Sequence, residues 1–174
     1  VERKKPKSKT EGRTYANYVC VRSRCDKIRK PKAMAIYHLS VKTISRSAGR
    51  TATAAAAYRA GVEITDERTG EVHDYTRKAG VSSTDLVLPP GAPEWATDRA
   101  ALWNAAEQSE KRKNSTVARE FEIALPVELS ADQRRELAVT FAREIAGRHK
   151  CAVDVAIHLP GKEGDNRNHH AHIL

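Results

Sequence analysis

Apolar and polar residues alternate along "AIYHLSVKT", with Tyr37, Leu39 and Val41 on one face and His38, Ser40 and Lys42 on the other, the period of a half-buried strand. The period returns in "AREFEIALP", where Phe121, Ile123 and Leu125 face a core and Glu120 and Glu122 share the opposite face. It returns again in "AVDVAIHL" and "HHAHIL", two strands joined by the polar loop "PGKEGDNRN". "EITDERTGEVHDY" reads as a hairpin whose turn carries Asp66 and Gly70. Between these segments the pattern is helical. "TATAAAAYRAG" is alanine-rich, stops at Gly61 and carries Tyr58 in its last turn, and its small faces suit close packing. The Pro/Gly stretch "LPPGAPEW" delivers the chain to a second helix, "TDRAALWNAAEQSEKRK". A third, "ADQRRELAVTFAREIAG", opens with Ser130 and Gln133 in capping-box spacing and is expected to bury Leu137, Phe141 and Ile145. Hairpins mixed with helices predict an α+β fold: a central antiparallel sheet flanked by helices, one sheet face covered and the other open.

Composition changes this picture mainly at the N-terminus. The net charge is +9, but residues 1–33 hold 12 of the 31 Lys and Arg and 3 of the 22 Asp and Glu, leaving 19 of each sign beyond. Residues 1–33 are charge-dense and aperiodic, and read as a disordered basic arm. Because Met34 is the chain's single methionine, the competing expectation is an upstream extension of a domain that starts there. Within the remaining neutral body, residues 34–62 contain Lys42, Arg46, Arg50 and Arg59 and no acid, the one local cluster suited to phosphate. Trp95, Trp103, Tyr37 and Tyr75 are able to stack on bases, although Trp103 lies in the second helix and is assigned to the core. No apolar run reaches bilayer length, and Cys20, Cys25 and Cys151 form neither a pairing pattern nor a zinc motif. The expected compartment is a reducing one, the cytoplasm.

The chemistry gathers on the face expected to be open. His170 and His172 lie two apart on a strand and point together, while Ala171 and Ile173 turn to the core. His158 sits on the less apolar face of the preceding strand, so hairpin pairing would bring three imidazoles together. Three neutral imidazoles can hold a divalent ion with positions left open for a substrate oxygen. Nitrogen ligands suit Mn2+ or Zn2+, with Mg2+ admitted by its abundance in cells. Glu120 or Glu122, on the same face of its own strand, can orient an imidazole or accept a proton. His169 points the other way.

Taken in order, "MAIYHLSVKTISRSAGRTATAAAAYRAG", "AREFEIALPVELS", "VAIH" and "NHHAH" resemble the N-terminal nicking domain of MobA/MobL conjugative relaxases, especially the TraA-type relaxase-helicases. The resemblance covers residues 34–174 and excludes the arm. It implies a histidine-hydrophobe-histidine endonuclease that nicks single-stranded plasmid DNA at an origin of transfer, with other relaxosome proteins as partners. On the matching positions, Tyr58 is the nucleophile, His158, His170 and His172 hold the metal, and Glu120, then Glu122, is the acidic residue. Lys42, Arg46, Arg50 and Arg59 would contact phosphates. Because the chain stops directly after the last ligand, the expectation is a nicking domain truncated at its C-terminus. Two other readings use the same residues: a metal-dependent nucleic-acid hydrolase, and a non-cleaving single-strand-binding module with Tyr58 merely packed.

Overall fold

A computed structural model describes residues 38–161 and 166–174. The arm of residues 1–33, and Tyr37, lie outside them. Residues 39–45 form β1 (Leu39–Ser45), followed by a 3-10 turn (Arg46–Ala48), α1 (Ala52–Ala60), β2 (Glu63–Thr65), β3 (Val72–Asp74) and β4 (Val81–Val87). A second 3-10 turn (Glu94–Thr97) precedes α2 (Arg99–Ser109), β5 (Thr116–Leu125), α3 (Ala131–His149), β6 (Val153–His158) and β7 (His169–Ile173). Five strands make one antiparallel sheet in the order β1-β5-β7-β6-β4, and β2 and β3 form a separate hairpin. The α+β architecture is therefore the one expected from the alternation of strand and helix periods.

One face of the sheet packs on α3. Leu125, Val153, Val155, Ile157, Ala171 and Ile173 meet Ala138, Ala142 and Ala146 there. The expected buried stripe of α3 is corrected by this packing: Leu137 and Phe141 are 48% and 37% exposed, Ile145 is partly buried, and the seam is alanine. Alanines at i, i+4 and i+8 let the helix backbone lie close to the strands, so the larger side chains are displaced to the flanks. Ser130 and Gln133 do form the capping box, with each side chain bonded to the other's backbone N–H. Ala142→Leu is expected to destabilise the domain by about 1–3 kcal/mol through overpacking, whereas Leu137→Ala should cost less than about 1 kcal/mol. Urea unfolding of both variants tests this, and a larger loss for Leu137→Ala would reverse the assignment of the seam.

The second face is not left open. It is roofed by α1, α2 and the β2–β3 hairpin, through a cluster that includes Ile44, Ala52, Ala56, Ala57, Ile64, Trp103 and Leu174. β6 is consequently buried along its whole length, polar Asp154 and His158 included. Asp154 accepts hydrogen bonds from Arg99 Nε at 2.8 Å and from Trp103 Nε1 at 2.9 Å, which fastens α2 to the sheet and places Trp103 in the core as expected. β1 is an edge strand, and Leu39 and Val41 are 48% and 56% exposed, so its expected buried face is uncovered at this end. β4, "VSSTDLV", has no alternation to announce it; pairing with β6 makes it a strand.

α1 is bound at both ends. Thr51 caps its start by accepting from Ala54 N–H, and the fully buried Glu107 of α2 accepts from Ala52 N–H at 2.6 Å. Gly61 ends it in the left-handed conformation at φ 67°, and a Cβ there would sit 3.2 Å from a Val81 methyl carbon. A helix held so firmly presents Tyr58 in a fixed place.

Candidate active site

Strand register builds the site. His158 pairs with His170 across β6 and β7, and His172 pairs with Glu122 across β7 and β5. Period-two alternation turns His158, His170 and His172 to the roofed face together with Glu120 and Glu122. Ring centroids are separated by 4.7 Å (His158–His172), 5.2 Å (His170–His172) and 5.3 Å (His158–His170). One nitrogen from each ring lies within 4.8 Å of those of the other two.

One nitrogen of each ring is tied to an oxygen that can only accept. His158 Nε2–H donates to the Arg59 carbonyl at 2.8 Å, His170 Nδ1–H to the Asn168 carbonyl at 3.0 Å, and His172 Nδ1–H to Glu120 Oε1 at 2.7 Å. These bonds fix the tautomers, leaving a lone pair on the remaining nitrogen of each neutral ring. Imidazoles that bind metals are oriented in this way, so the donor set fits a divalent ion. Burial, reinforced by Lys78 and the neighbouring rings, lowers His158 from 6.5 to about 4, against the opposing effect of its bond to Arg59. At neutral pH it is uncharged, the form that offers a lone pair.

Glu120 and Glu122 are separated by their surroundings. Glu120 is 1% exposed and receives both His172 and the Arg59 guanidinium, the latter through Nε and, at 2.6 Å, through Nη2. Burial alone would raise its pKa; the His172 and Arg59 bonds and their charges outweigh that and lower it from 4.5 to about 2. Glu122 instead accepts from Lys42 Nζ at 2.5 Å, which depresses its carboxyl, and among the described residues it makes no hydrogen bond to a ring.

Tyr58 stands in the last turn of α1, directly before the residue whose carbonyl holds His158. It is 46% exposed, its ring meets Tyr75 edge-on at 5.1 Å, and Lys78 Nζ lies 3.6 Å from the ring centre. Lys78 also donates to the Tyr58 carbonyl at 2.7 Å, and burial together with Arg59 lowers its pKa. Nothing in "TRKAGV" announces this lysine; only the return of the chain from β3 to β4 brings it beside the tyrosine.

The model of the MobA/MobL family matches residues 50–174, which contain Tyr58, both glutamates and all three histidines. The chain belongs to the MobA/MobL family. Its relatives include the mobilization protein MobL of Acidithiobacillus ferridurans, 53% identical over 81% of this chain and 42% of that protein. A probable mobilization protein MobA of Bifidobacterium longum is 41% identical over 81% of this chain and 24% of its own length. The conjugal transfer protein TraA of Rhizobium radiobacter is 36% identical over 81% of this chain and 13% of its own length. The chain thus spans less than half of each of these relatives. A solved structure described as "Molecular Basis of Vancomycin Resistance Transfer in Staphylococcus aureus" aligns with a TM-score of 0.73 at 37% identity, covering 80% of this chain and 69% of that one. Among the described residues of this MobA/MobL chain, no helix is long and apolar enough to cross a membrane.

The four cations singled out from the sequence of this MobA/MobL member have different occupations. Arg46 is turned inward, bonded to the Glu107 carboxylate and to the carbonyls of Glu107 and Glu110, where it fastens the turn after β1 to the end of α2. Arg59 is engaged by Glu120 and Lys42 by Glu122. Arg50 is exposed and, among the described residues, has no carboxylate partner.

Proposed function

We propose that this MobA/MobL domain nicks one strand of plasmid DNA at an origin of transfer and keeps the cut end on Tyr58 until it is rejoined. The observation that carries this reading is the hydrogen bond from His158 to the Arg59 carbonyl, which ties the histidine cluster to the helix turn bearing Tyr58. The names of the relatives, mobilization and conjugal transfer proteins, support the substrate.

His158, His170 and His172 would hold a divalent ion, Mn2+, Zn2+ or Mg2+, and Glu120 would keep the His172 ring in its binding orientation. Such an ion supplies Lewis-acid charge to the oxygens of the scissile phosphate. Tyr58 Oη attacks the phosphorus, and an O–P bond to tyrosine forms as the bond to the 3′ oxygen breaks. The phenolic proton is lost to a base and the departing 3′ oxygen takes up a proton, so the products are a 5′-phosphotyrosyl strand and a free 3′ hydroxyl. A phosphodiester has been exchanged for a phosphodiester, and resealing therefore requires no nucleotide cofactor. Lys78 and Tyr75 hold the phenol ring of a residue that stays 46% exposed.

The test uses the whole chain with labelled single-stranded oligonucleotides tiled across the DNA flanking its coding sequence, in Mn2+ or in EDTA. One tile is expected to give a detergent-resistant protein–DNA adduct that EDTA abolishes. Multiple turnover with no adduct would instead establish a hydrolase, binding with no cleavage a passive module, and either result defeats the proposal.

A further inference from the structure

Two clefts adjoin at Arg50, and the first of them borders the residues that support the histidine site. The first, about 480 Å³, is lined by Lys42, Arg50, Tyr75 and the same Arg59 and Glu120 that support the histidines. The second, about 660 Å³, begins at the shared residues Gly49, Arg50 and Thr51 and runs to Lys111 and Lys113 in the turn after α2. Both volumes are in the range of ligand-binding clefts. The charge around the second is one-sided: Arg46, Arg50, Arg68, Lys111 and Lys113 face two carboxylates, Glu107 and Glu110. Of these two, Glu107 is fully buried and already neutralised by Arg46. Among the described residues, Arg50, Lys111 and Lys113 have no carboxylate within salt-bridge distance. Three unpaired cations along two adjoining clefts, the first of which shares Arg59 and Glu120 with the support of the histidine site, suit a ligand carrying regularly spaced negative charge.

We infer that the phosphate backbone of the single strand runs from the histidine site past Arg50 into the second cleft, where Lys111 and Lys113 form a phosphate subsite. The inference rests on the strand-nicking reading above and adds to it a path for the strand away from the cut. Flexible lysines suit this role, since a backbone track must hold phosphates without reading bases. The strand leaves the site along α1, whose N-terminal end lies between the two clefts at Thr51.

Binding in EDTA separates this idea from the chemistry. A fluorescein-labelled 30-nucleotide single strand of mixed sequence is titrated with the whole chain at several KCl concentrations and followed by anisotropy. Each phosphate contact on a single strand contributes about 0.7 to the slope of log K against log salt. Lys111→Gln with Lys113→Gln is expected to reduce the slope by about 1.4, weakening binding about 25-fold at 0.1 M salt and converging on wild type near 1 M. Arg50→Gln should reduce it by about 0.7. A control pair, Arg143→Gln with Arg148→Gln on α3, removes equal charge from elsewhere and should leave the slope unchanged. A wild-type slope in the Lys111/Lys113 variant, an equal drop in the control pair, or no binding by wild type overturns the inference. Matched thermal melts establish that the lysine variants are folded. Adduct formation by wild type alongside an unchanged slope in the lysine variant would sink the track while leaving the nicking reading intact.

Discussion

Tyr58→Phe is expected to yield no covalent protein–DNA adduct while binding the same single strand within about two-fold of wild type. On the proposed mechanism the hydroxyl is the reacting atom, and among the described residues nothing in the fold depends on it. Its ring contacts, edge-on to Tyr75 and under the Lys78 ammonium, are made by carbon atoms that phenylalanine keeps. The helix position is held by Thr51, Glu107 and Gly61, none of which involves the phenol. Removing the nucleophile of a covalent mechanism costs at least ~10³-fold. Quantifying adduct on denaturing gels beside anisotropy binding curves checks both halves. Adduct persisting in the Phe variant would move the chemistry to another residue, and a large loss of binding would make Tyr58 a contact rather than a nucleophile.

Glu120→Gln is expected to lower stability at neutral pH by about 3 kcal/mol, and the difference should shrink in acid. The substitution keeps an amide oxygen to accept from His172 but leaves the largely buried Arg59 guanidinium without its counter-charge. Breaking a buried pair from one side typically costs about 3–5 kcal/mol, or on the order of 10 °C in melting temperature for a domain of this size. The titration of Glu120 leads to a similar figure. Its carboxyl is held at about 2 in the fold against 4.5 as a free group, worth about 3 kcal/mol that is fully present above pH 4.5. As pH falls below 4.5 the unfolded chain takes up the proton first, and the advantage is lost as pH approaches 2. Thermal melts of both proteins from pH 7 to pH 3 measure this. A constant gap across that range would mean that Arg59 and His172 are not what depresses Glu120. Glu120→Ala, which removes the acceptor as well, should also weaken Mn2+ binding by about 10- to 100-fold, as loss of a ligand's orienting partner does elsewhere.

Much of this domain could be read before any coordinates. Period-two alternation located β1, β5, β6 and β7 and set the common facing of His158, His170 and His172, although the face expected to be open is roofed. Capping and stop residues marked α1 and α3 for the same local reason. Where the reading failed, competition between segments decided. Leu137 and Phe141 looked like the inner stripe of α3 by hydrophobicity, but the sheet selected alanine for its size. β4 carries no pattern of its own and exists through the hydrogen bonds of β6.

The candidate site divides along the same line. The candidate histidines and glutamates were legible locally, by the His-Ala-His and Glu-Phe-Glu spacings, whereas Tyr58 was singled out only by the family resemblance. What each partner does was decided by contacts between residues up to 99 apart: His158 on the Arg59 carbonyl, Glu120 between Arg59 and His172, Arg46 on Glu107. Arg46, Arg50 and Arg59 are indistinguishable as sequence, yet one fastens a turn to a helix, one faces solvent and one neutralises a buried carboxylate. Short-range sterics and periodicity act on neighbours in the chain and are legible there; charge pairing and burial act through space, and only the folded arrangement of strands and helices supplies the distances on which they depend.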